Sequence, residues 1–401
     1  MTRTDAPTLP TAPASGFSLV DAGPLFRLLQ RLGLAGGELE GWGRRGAWVV
    51  GLAWVPLALI SLLEGRLWDG CEVPLLRDID AHTRFLLALP MLLAAERLVQ
   101  MRMRPAFAKF IDRGIIVGED VARFQAILAS TRRWLDAWWP ELLILVFVYT
   151  LGVGGLWDPA IDTDLSAWYG VRRGGEMEAS LAGHWLNLVS VPMFQFFLLR
   201  WYYRLLVWWA LMWRLSRLDL QLQPLHPDHA GGLGFLSQLS RAFAPLLVAQ
   251  GILSAGWIAD QIFFSGAGLL DFKLELAAVV VVTVATVVAP LLMFSPALAE
   301  ARQRGLGAYG NLSMRYAAEF NQRWLGAGAP PPGEPLLGTG DIQSLADLGN
   351  AYANLKQMRM VVFDRSALTA LAIALLLPVT PLVLTMFSVD ELMNKLVSIL
   401  L

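Results

Sequence analysis

The sequence predicts an all-α, polytopic transmembrane helical bundle of about seven spans, with six as the alternative, carrying cytoplasmic amphipathic helices. Three observations lead there. Seven apolar stretches lie at Gly46–Leu63, Ala81–Val99, Trp138–Trp157, Trp185–Trp213, Ala242–Phe264, Leu274–Pro296 and Ser366–Phe387. Each comes close to the roughly 20 helical residues that cross a hydrocarbon core of about 30 Å. Only 16% of the chain is charged and 56% is hydrophobic, against about 25% charged in soluble domains. Finally, many of the 16 tryptophans sit at the ends of the stretches: Trp48, Trp134, Trp138, Trp139, Trp157, Trp168, Trp185, Trp208, Trp209 and Trp213. Indole favours the headgroup layer, where its apolar body and its N–H are both satisfied.

Composition also excludes classes of function. The net charge is −1, with no basic field for nucleic acid. The single cysteine, Cys71, rules out an internal disulfide and any multi-cysteine metal site. No cofactor is expected.

In chain order, residues 1–45 read as a tail followed by an interfacial helix. Met1–Gly16 is rich in Pro, Thr and Ala and lacks the apolar core of a signal peptide. Pro24–Leu34 puts Leu25, Leu28, Leu29 and Leu32 on one face and Arg27 and Arg31 opposite, a pattern for an interfacial or a docking helix. Residues 46–296 hold spans one to six, with a helical cytoplasmic loop at 101–137 expected to run on into span three. Residues 297–365 form a cytoplasmic segment: a helix Ala297–Trp324 interrupted near Gly305–Gly310, a Pro/Gly linker at 326–335, and a second helix at Asp341–Met358. In that second helix Ile342, Leu345, Leu348, Tyr352 and Leu355 recur at helical spacing, a face for the other cytoplasmic helices or for a partner. Residues 366–401 give the last span, with Pro378 and Pro381, and an amphipathic tail.

Arg and Lys set the orientation, because they resist translocation. The side that holds the N-terminus, the 101–137 loop and the 297–365 segment carries 22 basic residues, the opposite side six. The N-terminus is therefore expected in the cytoplasm and, with seven spans, the C-terminus outside.

Three groups of residues are candidates for chemistry. Charge inside a membrane is costly and marks function by default. Arg200 and Arg204 lie one turn apart on span four. Glu96 and Arg97 at the inner end of span two, and Glu141 at the inner end of span three, match them in depth. Together they predict an inner polar layer, whose readings are a static salt-bridge layer, snorkelling to lipid phosphate, or an ion or proton path. Asp260 and Gln261 form a separate outer polar site, more than about 10 Å from that layer at 1.5 Å per residue. The third group is LHPDHAGGLGFL, Leu225–Leu236. His226, Asp228 and His229 are of the types that bind divalent ions, and Gly231 and Gly232 let the backbone approach an anion. The plain alternative is a tight turn capped by Asp228; the metal assignment stays unknown.

The runs Arg84–Glu96, His226–Leu236, Ser295–Ser313 and Gly338–Tyr352 resemble an uncharacterised family of bacterial multi-pass inner-membrane proteins with no assigned activity. The resemblance implies that location and transfers no catalytic residue. It also implies a basic character at the His229 position, which favours phosphate or carboxylate contact over zinc. The leading expectation is a channel-like or transporter-like unit, with homo-oligomerisation left open. The alternatives are a membrane scaffold or sensor that binds a soluble partner through Asp341–Met358, and an enzyme acting on lipid near His226 and Asp228. Beyond the lipid bilayer no partner is named, and an enzyme is less expected than none.

Overall fold

The structure is a computed structural model, and it describes residues 17–31, 33, 42–152, 167–173, 176–326, 333 and 339–386. The expected N-terminal and C-terminal tails, most of the Pro/Gly linker and the start of the loop after Trp157 lie outside the described residues. The chain forms α1 (Pro24–Arg31), α2 (Trp42–Leu63), α3 (79–112), α4 (Asp120–Asp136) and α5 (139–152). A short antiparallel hairpin follows, β1 (Gly170–Arg173) with β2 (Glu176–Ala179). Then come α6 (Leu181–Leu215), α7 (Gly234–Ser265), α8 (Leu269–Leu325), α9 (Gly340–Lys356) and α10 (Arg365–Met386).

Five of these helices, α2, α6, α7, α8 and α10, are long and apolar enough to cross a membrane, and a sixth crossing results if the bent pair α4–α5 is one span. The stretch from Ala81 does not qualify, because α3 carries Arg84, Glu96 and Arg97. In the most apolar window 56% of α7 and 44% of α6 is buried, against 17% of α2 and 22% of α8 and α10. Helices α6 and α7 are therefore central. α7 packs on α3 and α10, while α6 packs on α3, α4, α5 and the middle of α8. Two glycines of α7 allow this. A Cβ on Gly251 would lie 1.9 Å from the carbonyl oxygen of Leu375 in α10, and one on Gly256 would lie 2.1 Å from Thr83 Oγ1 in α3.

Prolines inside the helices free carbonyls one turn back, and neighbouring side chains take them up, the condition for proline within a bundle. Pro290 frees the Thr286 carbonyl, which accepts from Trp209 Nε1 at 2.7 Å, while Trp208 Nε1 donates to the next carbonyl, that of Val287, at 3.3 Å. Pro192 frees Leu188, which accepts from Tyr149 Oη at 3.0 Å. Pro56 frees Leu52, approached by Trp185 Nε1 at 3.4 Å, and Ser190 Oγ donates to Ala53 at 2.7 Å. Trp208 is consequently buried in the core and does not sit in a headgroup layer; Trp168 is buried too, its Nε1 donating to Asp78 Oδ2 at 2.7 Å. Trp48, Trp134, Trp138, Trp139 and Trp213 are exposed at helix ends as expected.

Two local expectations are corrected. The helix at 120–136 does not run on into the next: the chain bends by 41° at Ala137, which is extended, and Pro140 has no N–H to give the Asp136 carbonyl four residues back, which accepts from Arg27 instead. No interruption occurs near Gly305–Gly310. There α8 stays helical, because a Cβ at Gly305 would meet Leu355 and Pro224 at 2.9 Å, so glycine serves close packing. Of the two readings of Pro24–Leu34, the docking helix fits: Phe26 and Leu29 are buried in the main core beside Phe17, Leu19, Val20 and Ala22, while Leu28 is exposed.

Candidate functional site

Glu96 in α3 is the centre of a buried ion cluster. Its Oε1 accepts from Arg204 Nη1 at 2.7 Å and Arg200 Nη1 at 3.0 Å, and its Oε2 pairs with Arg45 at the start of α2. Arg200 Nε also donates to Glu141 Oε1 on α5 at 2.9 Å. The pair on α6 presents both guanidinium groups to one carboxylate because residues four apart share a helix face. Arg45, Glu96, Arg200 and Arg204 are each at most 4% exposed.

Three guanidinium groups against two carboxylates leave one net positive charge, and the N-terminal segment answers it with carbonyl oxygens. Arg200 Nη2 donates to Ala22 at 3.1 Å and Arg204 Nη2 to Val20 at 3.3 Å. The segment is fixed in turn. Leu25 N donates to Glu141 Oε2 at 2.8 Å, Gly23 N to Asp136 Oδ1 at 3.2 Å, and Asp21 pairs with Arg104 at 3.0 Å. Gly23 has φ +104°, and a Cβ there would stand 2.7 Å from Glu141 Oε1. A cavity of about 10 Å³ beside Glu141, Arg200 and Arg204 is at most the size of one water. So four of the five residues expected in the inner layer meet there. The fifth, Arg97, is exposed, on a different face of α3 from the buried Glu96. Arg45 and the carbonyls of Val20 and Ala22 were missed. Arg45 looks like one more basic residue before the first span, and main-chain acceptors carry no sequence signal.

At the opposite end of α3, about 18 Å away for the twelve residues from Arg84 to Glu96, lies a second polar group. Arg84 pairs with Asp80. Asp78 caps the helix, accepting from Ala81 N at 2.8 Å and Trp168 Nε1 at 2.7 Å. Asp260 of α7 joins the electrostatic surroundings of Arg84. Gln261 contributes its carbonyl, which accepts from Gly266 N and Ala267 N to close α7. The outer site is thus Asp78, Asp80, Arg84 and Asp260, and its α3 members were not foreseen.

The histidine turn is spent on its own backbone. Asp228 Oδ1 accepts from Ala230 N at 2.8 Å and Gly232 N at 3.1 Å, and Oδ2 from Gly234 N, the first residue of α7, at 2.8 Å. Burial alone would raise its carboxyl, but these three N–H groups outweigh it and hold it below the usual carboxylate range. His226 Nδ1 faces the Asp228 N–H at 3.2 Å. His229 adopts a left-handed φ of 51°, and Gly231 and Gly232 have φ of 64° and 97°, conformations that glycine takes without penalty. The turn's outer carbonyls hold other elements. His229 O accepts from Arg359 N at 2.8 Å, Asp228 O from Arg359 Nη2 at 2.9 Å, and Gly232 O from Arg113 Nη1 at 3.0 Å. Among the described residues no group of three His, Cys, Asp or Glu could hold a metal ion.

The turn thereby becomes a socket. Gly231 lies against Leu222, Leu298 of α8 and Met358, and Gly305 lies against Pro224 and Leu355 of α9. Beyond it, α8 and α9 pair antiparallel: Arg302 Nη2 donates to Lys356 O at 3.0 Å, and Tyr316 Oη to Asp341 O at 3.1 Å. Of the expected α9 stripe, Leu355 is buried and Leu345, Leu348 and Tyr352 are partly buried, whereas Ile342 is exposed. Tyr352 lies beside Gly310. That face is used within the chain.

No family model matches the chain, and neither do curated proteins or solved structures.

Proposed function

We propose that the protein is a multi-pass membrane scaffold, seated in a bilayer with its arginine-rich end toward the cytoplasm, that presents the α8–α9 arm to a soluble partner. One observation carries this: α8 runs without a break for 57 residues, about 86 Å at 1.5 Å per residue. A bilayer core takes about 30 Å of that. The part of α8 beyond Leu298, where the His226–Gly234 socket holds its base, therefore projects. The arm keeps an exposed stripe at three- and four-residue spacing, Arg304, Gly307, Asn311, Met314, Ala318, Gln322 and Leu325. Met314 and Leu325 are each 74% exposed.

Seven crossings follow on this reading if α3 is the remaining one. Its charges disqualify it from facing lipid, yet most of α3 packs inside the bundle, where Glu96 is neutralised. The four sequence runs set out above point to the bacterial inner membrane by their resemblance. Transport has less support, because the ion cluster is closed by protein on every described side. Its remaining argument is the carboxylate-rich outer site around Asp260, which no described cavity joins to Glu96. A lipid-acting site at Asp228 has lost its support, since both carboxylate oxygens cap the backbone.

The test is a photo-reactive residue at Leu325 in cells. We expect an adduct with a soluble protein that Met314→Asp abolishes in a chain still resistant to alkaline carbonate extraction. Absence of any adduct, or an adduct at Leu325 undiminished by Met314→Asp, would overturn the scaffold. Extraction by carbonate would overturn the membrane assignment itself.

A further inference from the structure

Between α5 and α6 a cleft of about 590 Å³ opens sideways, and its walls are almost wholly apolar. Trp134, Trp139, Leu143, Phe147, Tyr202 and Leu206 line it. Its size is within the roughly 300–1,000 Å³ of ligand pockets, and along α5 it extends about 12 Å from Trp139 to Phe147. One end is marked. Trp134, Trp138, Trp139 and Trp213 are exposed around it, as at a membrane–water boundary. The same end is cationic. Arg214 lies over the ring of Trp134, 5.6 Å from its centroid, and donates to Ser130 Oγ at 2.7 Å. Arg217 lies over Trp213 at 5.8 Å, Arg133 is exposed in the same turn as Trp134, and Arg27 donates to the Asp136 carbonyl at 3.1 Å. The carboxylates nearby are committed: Asp136 to Gly23 N and Arg132, Glu141 to Arg200 and Leu25 N.

We infer that this cleft is a binding site for an anionic phospholipid of the leaflet at the arginine-rich end. One acyl chain lies between α5 and α6, and the phosphate meets Arg214 and Arg133 at the mouth. Charge complementarity selects this occupant. An apolar slot alone would take any chain, but guanidinium groups held on indole faces beside the headgroup plane prefer a headgroup with net negative charge. The inference rests on the membrane assignment and is independent of the arm's partner.

The full-length protein would be reconstituted in vesicles of equal parts phosphatidylglycerol and phosphatidylcholine, released gently, and weighed by native mass spectrometry for retained lipid. Carbonate resistance, checked on the same vesicles, separates failure of this site from failure of membrane insertion. The wild type is expected to retain phosphatidylglycerol over phosphatidylcholine. Each arginine contributes roughly five-fold, so Arg133→Gln with Arg214→Gln should lower that preference roughly 25-fold. Leu143→Trp with Leu206→Trp, which fills the slot, should lower retention of both lipids while leaving the melting temperature near that of the wild type. Equal retention of the two lipids by the wild type would overturn the proposal. So would undiminished phosphatidylglycerol in either double variant, or a two-chain mass lost on filling the slot, which would make the cleft a self-association face.

Discussion

Gly23 and Glu141 are in contact across 118 residues of chain, the glycine backbone at φ +104° leaving no room for a side chain against the carboxylate. Two demands therefore fall on one residue. Gly23→Ala must accept a left-handed backbone and displace Glu141 from Arg200, and a strained position alone costs on the order of 1–3 kcal/mol. We expect a lowered melting temperature in detergent and faster proteolysis of the N-terminal segment. A variant as stable as the wild type would show the segment to be only loosely seated.

Glu96 answers three arginines at once. Glu96→Gln keeps the shape but strands Arg45, Arg200 and Arg204 with Glu141 as their sole carboxylate. Removing one partner of a buried ion group costs about 3–5 kcal/mol. The expected result is a chain that inserts but unfolds at markedly lower temperature. Changing Arg45, Arg200, Arg204 and Glu96 to Met together with Glu141→Gln, whose ion partner is Arg200, should be much less damaging than Glu96→Gln alone, because no buried charge is then left uncompensated.

Close packing at α7 predicts opposite outcomes for two glycine substitutions. Gly251→Ala drives a methyl into the Leu375 carbonyl, and overpacking of this sort costs roughly 1–3 kcal/mol. Gly349→Ala lies in α9 with nothing within 4 Å of the added carbon. It should stabilise the arm by roughly 0.5–1 kcal/mol. Thermal unfolding of the two variants side by side checks both signs.

Asp228 gives a pH dependence. Its carboxyl is lower in the folded protein than in the unfolded chain, so its contribution is complete above the unfolded value near 3.9. That contribution disappears as pH falls through the lower folded value. The melting-temperature difference between wild type and Asp228→Asn should accordingly be constant at neutral pH and shrink only below about pH 4. Because Arg359 hangs on the same turn, Asp228→Asn should also make the arm more open to protease at neutral pH.

The inner layer was legible where two side chains announced themselves by spacing, Arg200 and Arg204, and where depth matched them with Glu96 and Glu141. Arg97 shows the limit: adjacent residues on a helix point about 100° apart, so sharing a depth with Glu96 did not place it on the same face. Arg45 shows another, since nothing local separates a charge that turns inward from one that stays in the basic cluster. The count of crossings was sensitive to α3, whose charges are harmless inside a bundle and prohibitive against lipid. Tryptophan position was ambiguous for a similar reason. Trp209 and Trp208 end an apolar stretch, but Pro290, 81 and 82 residues later, decides that their N–H groups are needed inside.

The ion cluster also has a history in the making of the chain. Arg45 and Glu96 can pair one to one as soon as α3 is inserted. Arg200, made 104 residues after Glu96, and Arg204 then arrive together, and Glu141 balances only one of the two. What balances the other is the pair of carbonyls at Ala22 and Val20, 178 and 184 residues earlier in the chain, whose guanidinium partners do not exist until α6 is made. A chain halted before Arg200 would keep the bonds of Asp21, Gly23 and Leu25 to Arg104, Asp136 and Glu141 but leave the Val20 and Ala22 carbonyls without their guanidinium partners.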